Sequence, residues 1–305
     1  MMKKTCELWS CVATIGFFDG VHEGHMCIVS HLCEEASRRG MRSMLVTFDK
    51  HPRTVVCPGH APLLLTTLEE KEGLLRRTGV DEIVVLPFTE ELSRLTARDF
   101  MQKVLYTELG VRALVLGYDH VFGHGGGSAD DYVRWGEEIG IEIIRARELA
   151  DRMVSSSRCR RLLEAGDVCG AAGMLGRTYH LAGLVVKGFH VGHEIGFPTA
   201  NLRVAPDKLI PARGAYAVWV VLPDGSRREG MLNIGSRPTI GNGNDVSIEV
   251  NVFDYEGDLY GQRLIVEFVG RLRNETSFSS REELAAQLAR DKATAHILLR
   301  NSSRK

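Results

Sequence analysis

The sequence predicts an α/β amino-terminal domain built on a parallel sheet, then a β-rich domain closing as a small antiparallel barrel with a terminal helix. Three observations carry this. Strand-like and helix-like runs alternate through the first half. The character of the chain changes near Ser155. After Arg177, short strand-like runs follow one another with Gly, Pro, Asn and Asp between them. Alternation implies a parallel sheet covered by helices on both faces. Short strands at close spacing close into a barrel. A chain of 305 residues has room for both.

In chain order, the strand-like runs of the first half are "VATI", "RSMLVTF", "DEIVVLP", "VRALVLG" and "IEIIRA". Their β-branched and aliphatic residues suit strands buried on both faces. Helix-like segments lie between them at 24–39, 67–77, 96–108 and 129–139. "SSSRCRRLLEAGDVCGAAGMLGR" reads as helical with breaks. The β-rich runs are "HLAGLVVKGF", "GAYAVWVVL", "REGMLNIG", "DVSIEVNVF" and "QRLIVEFVG". An amphipathic helix over about 280–299 is expected to pack on the barrel. The expected division is a first domain over 1–165, a linker over 166–176 and a second domain over 177–305.

The formal net charge of −1 argues against a broad nucleic-acid or anionic-membrane surface. The seven cysteines form no CxxC pair, so reduced thiols in a cytoplasmic protein are expected. The start, "MMKKTCELWSCVATIG", lacks the apolar core of a signal peptide. A monomer with no nucleic-acid or membrane partner is the expectation.

Parallel sheets bind ligands beyond the carboxyl ends of their strands. "GFFDGVHEGH", "DKHPR" and "GYDHVFGHGGGS" all fall there. A strand, this first loop and then a helix put His22 and His25 at or near a helix N-terminus, where backbone N–H groups and the helix dipole favour anions. Gly16, Gly20 and Gly24 permit tight turns and close approach of a ligand. A metal pair and a plain turn are the rival readings of the two histidines. "GHGGGS" reads as a phosphate cradle or a surface loop.

"ATIGFFDGVHEGH" resembles the first signature of the bacterial bifunctional riboflavin kinase/FMN adenylyltransferases, whose amino-terminal module is similar to the HxGH nucleotidyltransferases with a Rossmann-like sheet. "TFDKHP" resembles the family's TFDPHP, with Lys50 in place of Pro. "LGYDHVFG" resembles its GxDFxFG, with Val121 where a basic or polar residue is usual. "VSSSRCR" resembles its ISSTxIR. The resemblance implies that ATP contacts Gly16, Phe17, Asp19, Gly24, Asp119, Ser155, Ser156 and Ser157. It implies that His22, His25 and Arg160 steady the triphosphate and the departing pyrophosphate, and that His51 lies near flavin. Asp119 and His51 also fit ordinary turn chemistry. An FMN phosphate is already an anionic nucleophile, so alignment and charge stabilisation suffice without a general base.

"GFHVGHEIGFPTANL" resembles the riboflavin kinase signature GxxxGRxxGFPTANL, with His193 in place of Arg. "IPARGAYAVWV", "GMLNIGSRPT", "SIEVNVFDYEGDLYGQ" and "RLRNETSFSSREEL" match further blocks in order. The implied fold is a six-stranded barrel with a carboxy-terminal helix. The acceptor here is a neutral ribityl hydroxyl, which gains from a base. By resemblance Glu249 is that base, Thr199 and Asn201 face Mg²⁺, and Gly188, His193 and Pro198 serve ATP. Glu249 could also be an outward strand carboxylate, and Thr199 and Asn201 could serve turn chemistry after Pro198. Arg237 reads as a flavin-side residue or a salt-bridge partner. Arg271, Glu275 and Ser277 belong to a loop expected as a flap near flavin. The implied activities are riboflavin plus ATP to FMN plus ADP, then FMN plus ATP to FAD plus pyrophosphate, both with Mg²⁺. The rivals are an enzyme retaining one activity and a non-catalytic flavin-binding regulator.

Overall fold

In the computed structural model, the chain is described over residues 10–117, 121–147, 154–187, 197–236 and 246–302. It divides into two compact units, residues 1–155 and 156–305.

The first unit is a parallel α/β sandwich. β1 (Cys11–Ile15), β2 (Arg42–Phe48), β3 (Glu82–Leu86), β4 (Val111–Leu116) and β5 (Glu142–Arg145) form one sheet in the order β3-β2-β1-β4-β5. β1 is buried throughout. Its alternate residues Cys11, Ala13 and Ile15 face a core with Phe100, Met101, Leu105 and Tyr132. Val12 faces the other side, against Leu32 and Ala36 of α1 (Glu23–Arg39). This period of two is what a strand covered on both faces requires. The buried Thr14 hydroxyl is satisfied by donating to the Val115 carbonyl at 2.9 Å. α3 (Leu68–Arg76) starts with a capping box between Thr67 and Glu70, and α6 (Ala129–Ile139) with one between Ser128 and Asp131. Two short helices, α2 (Arg53–Val56) and α4 (Glu90–Arg94), were not anticipated.

The segment expected as one helix over 96–108 is α5 (Ala97–Phe100) running into a π-helix, Met101–Glu108. The Leu109 N–H donates to the Val104 carbonyl at 3.0 Å, five residues back, and the Thr107 hydroxyl to Gln102 at 2.7 Å. Its apolar spacing (Met101, Val104, Leu105) suits either helix type, so periodicity could not separate them.

The second unit opens with α7 (Ser156–Glu164) and α8 (Val168–Leu175). The stretch 166–176, expected as a linker, thus carries a packed helix, with Val168, Ala171 and Leu175 buried. Six strands follow: β6 (His180–Val186), β7 (Ala200–Val204), β8 (Gly214–Val221), β9 (Arg227–Ser236), β10 (Val246–Val252) and β11 (Arg263–Asn274). They close as an antiparallel barrel in the order β10-β7-β6-β11-β8-β9. α9 (Arg281–Ser302) packs on it through Ala295 and Leu299 against Ala217, Met231 and Phe253. Five of the six strands were legible as apolar runs. β7 was not, because "PTANL" reads as a turn. Among the described residues no helix is long and apolar enough to cross a membrane, and Cys11, Cys27, Cys33, Cys57, Cys159 and Cys169 are thiols outside any disulfide.

Candidate active sites

The strand order reverses direction at β1. From it the chain builds outward to β2 and β3, then returns to β4 and β5. The crevice past the carboxyl end of β1 is therefore the topological switch point, where open α/β sheets take ligands. The "GFFDGVHEGH" loop fills this position and ends as the start of α1. His22 is the N-cap of α1, with its Nδ1 accepting from the His25 N–H at 3.3 Å. The two imidazoles stack with centroids 3.6 Å apart and planes at 15°. His22 is buried, while His25 is half-buried.

The loop backbone is strained. Phe18 has φ 55° and Val21 φ 40°, left-handed conformations that a β-branched residue rarely adopts. Each such residue costs on the order of 1–3 kcal/mol, and the surroundings must enforce it. Asp19 is one enforcer. Its buried carboxylate accepts from the Leu65 N–H (3.0 and 3.1 Å), the Thr66 N–H (3.0 Å) and the Thr66 hydroxyl (3.2 Å). The Gly20 N–H donates to that same Thr66 hydroxyl oxygen at 3.0 Å. Asp19, expected to contact ATP, tethers the loop to residues 65–66. Asp19→Ala should leave buried N–H groups without their acceptor, costing about 1–3 kcal/mol. The expected result is a lowered melting temperature for the first unit; an unshifted melt would contradict the tether.

Gly16 and Gly24 are close-packed. A Cβ at Gly24 would stand 3.2 Å from the His22 ring and 3.8 Å from the Val154 carbonyl oxygen. The start of "VSSSRCR" thus lies beside the HEGH turn. Ser155 is exposed and closes the first unit. Ser156, Ser157 and Arg160 belong to α7 in the second unit.

Beside the switch point is a cavity of about 470 Å³, lined by Gly16, Phe17, Phe48, Phe88, Phe100 and Phe122 among others. Five phenylalanines suit a planar ring system. His51 meets Phe17 edge-on at 4.8 Å, and its Nδ1 accepts from the Arg53 N–H at 3.1 Å. Val121, 61% exposed, sits at the rim, and Lys50 is exposed next to His51. Phe122 is held by Tyr132, whose hydroxyl donates to its carbonyl (2.8 Å) and accepts from its N–H (2.9 Å). Phe48 and Phe122 went unassigned at the sequence level although "TFDKHP" and "DHVFG" contain them. Asp119 lies outside the described residues, as do Gly188, His193 and Arg237.

In the second unit two cavities share a wall. One, about 190 Å³, is lined by Val186, Lys187, Pro198, Thr199, Val250 and Tyr260 among others. The other, about 250 Å³, is lined by Phe197, Thr199, Asn233, Glu249, Asn251, Arg273 and Phe278 among others. Thr199 lines both. The β10 register explains the division: Glu249 and Asn251 face one cavity, while the alternate residues Val250 and Val252 face the other. Glu249 pairs with Asn201 on β7 and with Asn233 on β9. Directly opposed residues emerge on the same face, so three oxygen-bearing side chains form a row across the barrel wall. Asn251 Nδ2 donates to the Pro198 carbonyl at 2.6 Å and anchors the segment leading into Thr199.

Arg273, not Arg271, lines the larger cavity. Arg271 donates to the Ala165 carbonyl (3.2 Å) and the Arg213 carbonyl (2.6 Å), fastening the turn after α7 to the barrel. Arg273 lines the cavity beside Phe278, with its Nε held by Asp291 at 2.8 Å. A bulge causes this: Arg271 opposes Tyr216 and Arg273 opposes Ala215, so two residues of β11 are matched to one of β8. Adjacent strand residues face opposite ways. Arg271 is thereby turned off the cavity it was expected to serve. Glu275 lines the cavity and accepts from the Ser236 N–H at 2.9 Å; Ser277 is exposed and is not part of the lining.

Among the described residues no cluster of three His, Cys, Asp or Glu side chains suited to a metal occurs. The oxygen pair Thr199 and Asn201 is of a different kind. A hydroxyl and an amide carbonyl fit a hard divalent cation that also takes ligands from a nucleotide.

Comparison with known proteins follows the same division. Residues 5–158 match the FAD synthetase family model, and residues 175–299 match the riboflavin kinase model. The chain is 36% identical to the bifunctional riboflavin kinase/FMN adenylyltransferase of Pseudomonas fluorescens, covering 94% of this chain and 93% of that one. It is 36% identical to the protein of the same name from Escherichia coli K12 (93% and 91%) and 32% identical to that from Bacillus subtilis 168 (93% and 91%). A solved structure from Streptococcus pneumoniae, titled as a macrolide-efflux protein, superposes with a TM-score of 0.85 at 29% identity over 94% of each chain. With both family models matched in order and full-length relatives above 30% identity, the chain belongs to the bifunctional riboflavin kinase/FMN adenylyltransferase family.

Proposed function

We propose that this chain makes FMN from riboflavin and ATP in its barrel, and FAD from FMN and ATP in its α/β unit. The observation that carries the kinase reading is Thr199 lining both barrel cavities, with Glu249 on one side of it. Phosphoryl transfer needs a nucleotide and an acceptor that meet at one point. In this reading ATP occupies the smaller cavity and the isoalloxazine the larger, against Phe197, Phe278 and the held Arg273. The ribityl hydroxyl then reaches Glu249, which accepts its proton as the oxygen attacks the γ-phosphorus and the bond to the β,γ-bridging oxygen breaks to release ADP. Thr199 and Asn201 would hold Mg²⁺, which when bound neutralises phosphate charge. Asn201 and Asn233 flank Glu249 in the ladder and orient its carboxylate.

In the α/β unit the flavin ring of FMN lies in the phenylalanine-lined cavity. The FMN phosphate attacks the α-phosphorus of ATP without a base. His22 and His25 donate to the triphosphate at the start of α1, where charge accumulates on pyrophosphate as it departs. Gly16, Phe17 and Gly24 let the backbone approach the nucleotide, and Asp19 fixes the loop that presents them. The assignment of Ser155, Ser156, Ser157 and Arg160 to the triphosphate is supported by the "VSSSRCR" motif. Glu275 and His51 remain flavin-side candidates.

Separation of flavins after incubation with riboflavin, ATP and Mg²⁺ tests the whole reading. FMN should form first and FAD after it, and supplied FMN should give FAD directly. FMN alone points to a single retained activity. Binding without turnover points to a regulator.

A further inference from the structure

Lys71 lies on α3 and is 2% exposed. Its Nζ donates to three oxygens: the Phe17 carbonyl (3.0 Å), Thr47 Oγ1 (3.0 Å) and the Phe48 carbonyl (2.9 Å). An ammonium has three hydrogens, and all three are matched here to neutral acceptors. The Thr47 hydroxyl spends its own hydrogen on the Phe17 carbonyl at 3.1 Å. The ammonium also sits 4.1 Å from the Phe17 ring centroid.

Burying a cation without a bonded carboxylate is costly, and burial pushes this ammonium down from the usual lysine value to about 8. An aliphatic side chain would fill the same volume without that cost. What the ammonium does that a methionine cannot is join the ends of two strands. Phe17 follows β1, Phe48 closes β2, and both line the 470 Å³ cavity. The loop that leaves Phe17 holds the strained Phe18 and Val21. Asp19 tethers this loop from one side and Lys71 secures its first carbonyl.

We infer that Lys71 is a positioning residue for FMN adenylylation, fixing the ends of β1 and β2 so that Phe17 and Phe48 form the wall against which the flavin ring rests. This rests on the reading of the α/β unit as the adenylyltransferase. Lys71 itself is not among the residues lining the cavity and acts through the two phenylalanines.

The test uses the full chain carrying Lys71→Met, with Lys71→Gln as a second variant that keeps amide donors without charge. Lys71→Met removes a buried charge but leaves the Phe48 carbonyl without this donor, so a melt lowered by about 1–3 kcal/mol is expected, and the kinetics are measured below it. The KM for FMN should rise, with kcat/KM for adenylylation falling about a hundredfold, as displacement by an ångström can cause. The kinase turnover should stay near wild type, and Lys71→Gln should fall between. A pH profile adds a readout that mere packing would not move. Deprotonation leaves the amine lone pair aimed at an oxygen that has no hydrogen to give. The wild-type KM for FMN should therefore rise as pH passes about 8, and that of Lys71→Met should not. The charged groups facing Lys71 are Asp19 after β1, Asp49 after β2 and Glu72 on α3 itself. An unchanged KM for FMN in both variants overturns the inference, as does a rise confined to ATP. If Lys71→Met does not fold, Lys71→Gln decides by the same measurements. Failure of the wild type to form FAD from FMN would instead remove the reading beneath it.

Discussion

Glu249→Gln should abolish FMN formation while leaving FAD formation from supplied FMN intact. Glutamine has the shape of glutamate and keeps the β10 register, so the ladder to Asn201 and Asn233 survives. What is lost is a proton acceptor at the one place where the chemistry needs it. A riboflavin hydroxyl is neutral and must lose its proton to become a phosphate ester, whereas the FMN phosphate is already ionised. Loss of a general base costs about a hundredfold or more in turnover. The ATP-side cavity is lined by Val250 and Val252, from the opposite face of the same strand. The KM for ATP should therefore hardly move, so the loss should fall on kcat. Paired assays of the two half-reactions check this, with a melt of the same samples. A Glu249→Gln enzyme that phosphorylates riboflavin at the wild-type rate would show that the carboxylate is an ordinary strand residue.

How much of this was legible in the sequence depends on what kind of signal each residue sends. The parallel sheet was legible because strands buried on both faces are continuous apolar runs, and β1, β2 and β4 read that way. The barrel was legible as a succession of short runs. Its missing strand, β7, starts just after Thr199, which lines both cavities, and carries Asn201 opposite Glu249. Its polar residues erase the apolar pattern that announces a strand. The motif singled out Glu249, and the alternation of β10 explains why it faces the larger cavity. Arg271 and Arg273 could not be told apart, since a bulge reverses side-chain direction without leaving a mark in composition. Val21 could not have been placed at φ 40° either: valine disfavours it, and only the tether at Asp19 and the clamp at Lys71 make it comprehensible. Lys71 sits in "TTLEEKEGLL", where a lysine on a helix reads as a solvated charge. Its burial is a property of the tertiary structure alone.

His25→Ala should depress FMN adenylylation by about a hundredfold or more, the range seen when one preorganised donor is removed from a developing charge. Riboflavin phosphorylation should be untouched, because the barrel has its own site. His22→Ala should do the same with an added cost. His22 Nδ1 caps α1 by accepting from the His25 N–H, and removing a cap costs about 0.5–2 kcal/mol. The two substitutions therefore separate chemistry from folding: His25→Ala loses activity with a nearly unchanged melt, and His22→Ala loses activity with a lowered one. The rival readings of "HEGH" predict other patterns. A metal pair predicts zinc in the wild-type protein, lost with either histidine and accompanied by destabilisation of the whole unit. A plain turn predicts a lowered melt for His22→Ala and normal adenylylation in both variants. The stacked rings, 3.6 Å apart at the switch point of the sheet, favour paired donors to one extended anion. Half-reaction rates, melts and metal content measured on the same three proteins separate the cases. Full adenylylation by His25→Ala would leave the stacked pair without its chemical role.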